Sequence, residues 1–201
     1  MAGAKKGALR RGQLIVFLDE TGFSQRPSVR RTWGPRGQTP VLKEHLTWNN
    51  LSAIGALGLK PGHPRLRLFL SLRRKAVNSQ AVIDFLRSLR RHVRDSVLLI
   101  WDGLPVHRSK AVTLYVKRQA QWLTVERLPG YAPELNPQED LWANLDACEL
   151  ANFVPDDLDQ LARQVRRGLR RVRRRAALPW SFLRHTRLIT RNEIPYLHET
   201  Q

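Results

Sequence analysis

Three carboxylates stand out in a chain poor in acid. Asp19 closes the apolar run QLIVFLD (Gln13–Asp19), Asp102 closes SVLLIWD (Ser96–Asp102), and Glu139 follows Asn136-Pro137 at the start of a helical pattern. A carboxylate at the end of an apolar strand borders low-dielectric core, where its charge is costly unless paired or bound to a cation. One such acid is ordinarily a solvated loop cap. Two of them, on parallel neighbouring strands, would meet at one edge of a sheet, and a cation would bridge them. Glu139 would join from a helix whose Trp142, three residues on, lies on the same face and anchors it to the core. Glu134, Asp140, Asp146 and Glu149 are rivals for the third place, and spacing does not separate them. Oxygen donors without a Cys/His cluster point to a hard ion, Mg²⁺ or Mn²⁺, rather than zinc.

The partner of such a site is read from charge. The 201 residues carry 35 Lys and Arg against 17 Asp and Glu, a net charge of +18. A surplus this large calls for an anion in use, nucleic-acid phosphate foremost, because neutralising it releases condensed counterions. Candidate DNA contacts are Arg30, Arg31, Trp33, Arg36 and Lys43 in the Pro/Gly-rich stretch after the first strand. Arg166, Arg170 and Arg173 join them from the Arg run near the C-terminus. A solvated basic face is the plainer account of that run. The lone Cys148 supplies no intrachain disulfide or zinc cluster, so a reducing, cytoplasmic setting is expected. The best apolar runs, Leu14–Leu18 and Val97–Trp101, fall far short of the ~18 residues a membrane helix needs, and no membrane partner is expected.

The elements that must position the acids follow from periodicity. Residues 1–12 read as a flexible basic arm, and Gln13–Asp19 as a buried strand ending on its acid. Glu20–Lys43 reads as an irregular excursion or small hairpin. Asn50–Leu59 and Leu66–Leu72, separated by the turn Lys60-Pro61-Gly62-His63-Pro64, complete a three-stranded meander. Asn78 caps a helix from Ser79 to about Arg94, with Val82, Phe85, Leu86, Leu89 and Val93 at helical spacing. The strand Ser96–Asp102, a helix over Ser109–Gln121 and a strand over Leu123–Leu128 follow. Next come a helix over Gln138–Asn152 and another over Asp156–Arg175, whose Leu158, Leu161, Val165, Leu169 and Val172 form one apolar face. The tail beyond Trp180 has no assigned element. This order predicts an α/β fold with a mixed five-stranded sheet flanked by helices, in a domain over 13–153 with a basic helical extension over 154–201.

The segments LIVFLDETGF around Asp19, LLIWDGLPVHRSKAV around Asp102 and LPGYAPELNPQEDLW around Glu139 resemble the catalytic domain of the DDE transposases of bacterial insertion sequences, relatives of mariner. The last is the most specific, and 36 residues lie between Asp102 and Glu139, in the mid-thirties interval of that family. The resemblance implies a ribonuclease-H-like fold in which Asp19, Asp102 and Glu139 together hold two Mg²⁺ ions, Mn²⁺ being able to substitute. One ion would activate a water, or later a DNA 3′-hydroxyl, for in-line attack on a phosphodiester, and the other would stabilise the leaving oxygen. It also implies that Glu20 supports the metal shell and that His107 orders it or approaches the scissile phosphate. Asn136 and Pro137 would set the start of the Glu139 helix. DNA is the implied partner, bound by a homodimer in the synaptic complex. The family's helix-turn-helix modules precede its catalytic domain, whereas this sequence opens almost at the first strand. The expectation is a separately encoded DNA-binding subunit or a truncated remnant. A catalytically inactive DNA-binding remnant and a ribonuclease-H-type nuclease acting on hybrids are the alternatives.

Overall fold

The structure, a computed structural model, describes residues 7–8, 11–43, 49–61, 63–130 and 132–188. Its centre is a mixed five-stranded sheet: β1 (Leu14–Ser24), β2 (Asn50–Leu59), β3 (Arg67–Arg73), β4 (Val97–Trp101) and β5 (Leu123–Arg127), in the order β3-β2-β1-β4-β5. The meander is antiparallel, whereas β1, β4 and β5 are parallel neighbours. Helices α1 (Ser79–His92) and α2 (Lys110–Arg118) are the crossovers that parallel pairing demands. Both begin where capping chemistry allows: Asn78 accepts from the Ala81 N–H at 2.9 Å and Ser109 accepts from the Val112 N–H.

The sheet's two faces bury separate cores, as alternation along a strand requires. Leu14, Val16 and Leu18 of β1, with Leu99 and Trp101 of β4, face α1 and α2. Ile15 and Phe17, with Leu98 and Ile100, face α3 (Pro137–Leu145), α4 (Leu158–Arg174) and α5 (Ala177–His185). Each fully buried large apolar side chain stabilises the fold by roughly 1.5–3 kcal/mol relative to exposure. The helices of the 154–188 region thus share a core with the sheet, through Leu161, Val165, Leu169, Trp180 and Leu183.

Four expectations need correction. The first strand does not end at Asp19: β1 runs on to Ser24 because Glu20–Ser24 pair with Asn50–Ile54 of β2. The irregular stretch therefore begins only at Gln25. The helix carrying Glu139 is α-helical only to Leu145 and continues as a π turn over Asp146–Leu150. The tail gains α5, whose Trp180 donates to the Pro64 carbonyl at 2.8 Å. Of the expected basic arm, Ala8 is fully buried in the core, while residues 1–6 and 9–10 lie outside the described residues, as do Gly62 and Tyr131.

Candidate active site

Where β1 and β4 part, their register brings Asp19 level with Asp102. The last parallel pair is Phe17 with Ile100, and two residues further each strand reaches its acid. Asp19 also pairs across to Gly55 of β2. The third acid arrives from α3. Asn136 is buried and its side chain accepts from the Gln138 N–H at 3.2 Å, while Pro137 fills the first helical position, where no N–H is needed. Gln138 donates to the Phe17 carbonyl at 3.1 Å, tying the helix start to β1. Asp19, Asp102, Asn136 and Glu139 consequently line one pocket of about 430 Å³, together with Gly103, Leu128 and Pro133 among others.

The rivals of Glu139 are engaged elsewhere. Asp140 meets His185 at 2.8 Å, Asp146 takes bonds from Ser28 and Arg30, Glu149 pairs with Arg171, and Glu134 does not line the pocket.

Asp19 is the most perturbed acid of the site. Burial pushes its carboxyl up to about 7 from an ordinary 3.8, and the charges of Glu139 and Glu20 push the same way. The Trp142 indole N–H works against them, donating to Asp19 Oδ2 at 3.0 Å. The sequence pattern assigns Trp142 to core packing alone and misses this polar role, although its spacing from Glu139 is the signal. The indole is held edge-on by Phe23, with ring centroids 5.9 Å apart, and it lies over Gly55. A Cβ at Gly55 would stand within 2.6 Å of the Trp142 ring. Gly55→Ala is therefore expected to force the indole away from Asp19 and to destabilise the protein by about 1–3 kcal/mol. Denaturant unfolding checks this, and an unchanged midpoint would show that the indole has room to yield.

Glu20, next along β1, faces the opposite side of the sheet and does not line the pocket. Its Oε1 meets His107 Nε2 at 2.9 Å, while His107 Nδ1 lies 2.8 Å from Asp102 Oδ1. The imidazole is buried and stacks on Trp101 at 4.3 Å, with the rings nearly parallel. Burial lowers its pKa, but the Glu20 bond and the charges of Glu20 and Asp102 outweigh that and hold it above the usual range. These three side chains lie close enough to share an ion. Both ring nitrogens already face carboxylate oxygens, however, and a ligating imidazole must be neutral with a free lone pair. The arrangement is a buried strut in which the imidazole bridges Glu20 and Asp102. With the Leu104 N–H, 3.0 Å away, His107 fixes Asp102 Oδ1.

The candidate DNA contacts lie outside this pocket. Trp33 is fully exposed, Arg31, Arg36 and Lys43 are exposed in the same segment, and Arg30 is tied to Asp146 at 3.0 Å. Arg166 and Arg170 are exposed on α4, whereas Arg173 donates to the Leu68 carbonyl of β3.

A sheet of this order flanked by helices is a ribonuclease-H-like fold, the fold the sequence resemblance implied. Residues 14–162 match the family model described as DDE superfamily endonuclease, and the chain belongs to that family. Among solved structures it is similar to the Mos1 mariner paired-end complex with Mn, at 18% identity and a TM-score of 0.56, covering 97% of this chain and 60% of that one. It is similar also to the Mos1 strand transfer complex, at 18% identity and a TM-score of 0.53, covering 92% and 57%. The chain thus spans less than two thirds of the length of these structural relatives. No curated protein matches by sequence. No helix among the described residues is long and apolar enough to cross a membrane.

Proposed function

We propose that this chain cleaves and joins DNA strands in the transposition of an insertion sequence, with Asp19, Asp102 and Glu139 as its metal-holding carboxylates. The observation that carries the reading is the convergence of three acids from β1, β4 and α3 on one pocket in a protein of net charge +18. Asp19 is so crowded by like charge and apolar surroundings that its carboxyl keeps a proton to about pH 7. A hard cation relieves that strain, and the all-oxygen donor set fits Mg²⁺ or Mn²⁺. A pair of divalent ions held there supplies Lewis-acid stabilisation of phosphodiester charge and activates the attacking hydroxyl.

The chain's own residues do the positioning. His107 and the Leu104 N–H hold one oxygen of Asp102, a residue that lines the pocket. Trp142 orients Asp19, and the Asn136 cap sets the height of Glu139. None of the three acids acts as a general base in this scheme; each supplies charge and geometry. The exposed Arg31, Trp33, Arg36 and Lys43 contact DNA flanking the scissile phosphate. Two copies bring the element's ends together. The Mos1 relatives carry transposon ends in their complexes, which supports DNA as the partner here.

Incubating the protein with a supercoiled plasmid bearing the element's terminal repeats tests the reading. Nicks at the repeats are expected with Mg²⁺ or Mn²⁺ and none with a chelator. Undiminished cleavage under chelation overturns it. Cleavage of RNA–DNA hybrids alone would assign a ribonuclease-H-type nuclease, and salt-dependent DNA binding with no divalent-ion uptake in calorimetry an inactive remnant.

A further inference from the structure

We infer that the cleft between α4 and the π turn is a second phosphate-binding surface, which seats the backbone of double-stranded DNA away from the catalytic pocket. The cleft, of about 700 Å³, is lined by five arginines of α4 and its C-terminal end, together with Glu149 and Cys148 of the π turn. Gly168 makes it possible: a Cβ there would stand 2.5 Å from Glu149 Cγ and 2.6 Å from Leu145 Cδ2, so only glycine lets α4 lie this close.

Charge in the cleft is unbalanced. Its one acid is consumed by Arg171, whose Nε donates to Glu149 Oε1 and whose Nη2 donates to Asn144, each at 2.6 Å. Arg167, Arg170, Arg174 and Arg175 are exposed and pair with no acid among the described residues. The helix dipole accounts for Arg174 and Arg175 at the C-terminus, since cations are favoured in the last turn. It gives nothing to Arg167 and Arg170, which sit further back. There they repel each other at i,i+3 and repel Arg171 and Arg174 at i,i+4, an arrangement that destabilises a bare helix and that an anion relieves.

The spacing selects a polymer over a single ion. Arg167, Arg170 and Arg174 lie along one face and span about 10 Å of helix, the length of duplex axis over which one DNA strand presents about three phosphates. Guanidinium forks match phosphate oxygens in geometry as well as charge. This surface is separate from the catalytic pocket, with which it shares no lining residue. Cys148 stands nine residues beyond Glu139 on the same helical stretch, about 14 Å along its axis. The choice of DNA as the polyanion rests on the proposed function; the cleft itself does not.

Cys148 is the chain's only cysteine and is exposed in the cleft, so its alkylation by a thiol reagent reports occupancy without reference to activity. A random-sequence DNA duplex is expected to slow that alkylation about tenfold at low salt, and added salt to restore it. In the triple variant Arg167→Gln/Arg170→Gln/Arg174→Gln, which spares the Arg171 clamp, protection is lost. The slope of log affinity against log salt becomes shallower by about 2.7, at 0.9 per phosphate contact. DNA that saturates the wild-type protein by anisotropy while Cys148 alkylates at its free rate overturns the inference, and needs no variant to do so. Protection by duplex RNA and not by DNA overturns the choice of DNA. Protection without any metal-dependent nicking would leave the cleft standing and remove the proposed reaction.

Discussion

Asp19→Asn is expected to abolish DNA cleavage and at the same time to stabilise the metal-free protein at alkaline pH. Loss of activity follows from removing one of the three carboxylates proposed to hold the ions. The charge stabilisation such an ion supplies amounts to several kcal/mol, so the fall should be on the order of a thousandfold or more. The gain in stability follows from linkage. The folded protein holds the Asp19 proton up to about pH 7, whereas the unfolded chain releases it near 3.8. Between those values the native state binds more protons than the unfolded state, and stability declines as pH rises. Over a gap of about three pH units the decline is of the order of 4 kcal/mol, complete above pH 7. The amide introduced by the substitution has no proton to lose, so the variant should lack this part of the pH dependence. Divalent ions should behave oppositely in the two proteins. In the wild type, binding displaces the Asp19 proton, so the rise in melting temperature on adding Mn²⁺ should be larger at pH 8 than at pH 6; in the variant it should be nearly absent. Unfolding curves across pH with and without chelator measure all of this. Parallel stability profiles for the two proteins would mean that Asp19 is ionised in the fold at ordinary pH, and the crowding argument would fail.

Much of the scaffold could be read from local pattern because local chemistry determines it. The apolar runs before Asp19 and Asp102 became β1 and β4, the Asn78 cap opened α1, and the periodic leucines and valines of 158–172 became the buried face of α4. The meeting of Asp19 with Asp102 also followed, since two apolar strands each closed by an acid could share one sheet edge. What escaped notice depends on residues far apart in the chain. The five residues after Asp19 look like loop because Glu20 and Gly22 are poor strand formers, yet they pair with β2 over their whole length. The charge of Glu20 is tolerable there only because His107 arrives from 87 residues away. Gly55 gives no local sign that an indole must lie over it. The Arg run showed a basic face, but only packing separates Arg171 and Arg173, spent on Glu149 and Leu68, from Arg167 and Arg170, which pair with no acid among the described residues.

His107→Ala should be the most damaging single change outside the three acids. It strands the Glu20 carboxylate, whose side chain is only 9% exposed and whose Oε2 is buried without a hydrogen-bond partner. It also removes the ring stacked on Trp101. Breaking a buried ion pair from one side costs about 3–5 kcal/mol, chiefly because the remaining charge is left uncompensated. The double variant Glu20→Gln/His107→Ala should recover much of that loss, since a neutral amide is cheaper to bury than a carboxylate; a purely steric role for the imidazole would allow no recovery. The pH dependence gives a further check. His107 titrates above its unfolded value of about 6.5, so its contribution is fully present below pH 6.5 and is lost as pH climbs through the raised value. The stability gap between wild type and variant should accordingly narrow on the alkaline side. Catalysis should suffer separately, because Asp102 Oδ1 loses its Nδ1 donor. Outer partners of this kind are worth about 10–100-fold in metal affinity or activity. The metal requirement should shift to higher Mn²⁺ concentration, whereas a fold defect alone would lower the active fraction at every concentration. A variant within about 1 kcal/mol of wild type, with an unshifted Mn²⁺ requirement, would show that Asp102 is held in place without the strut.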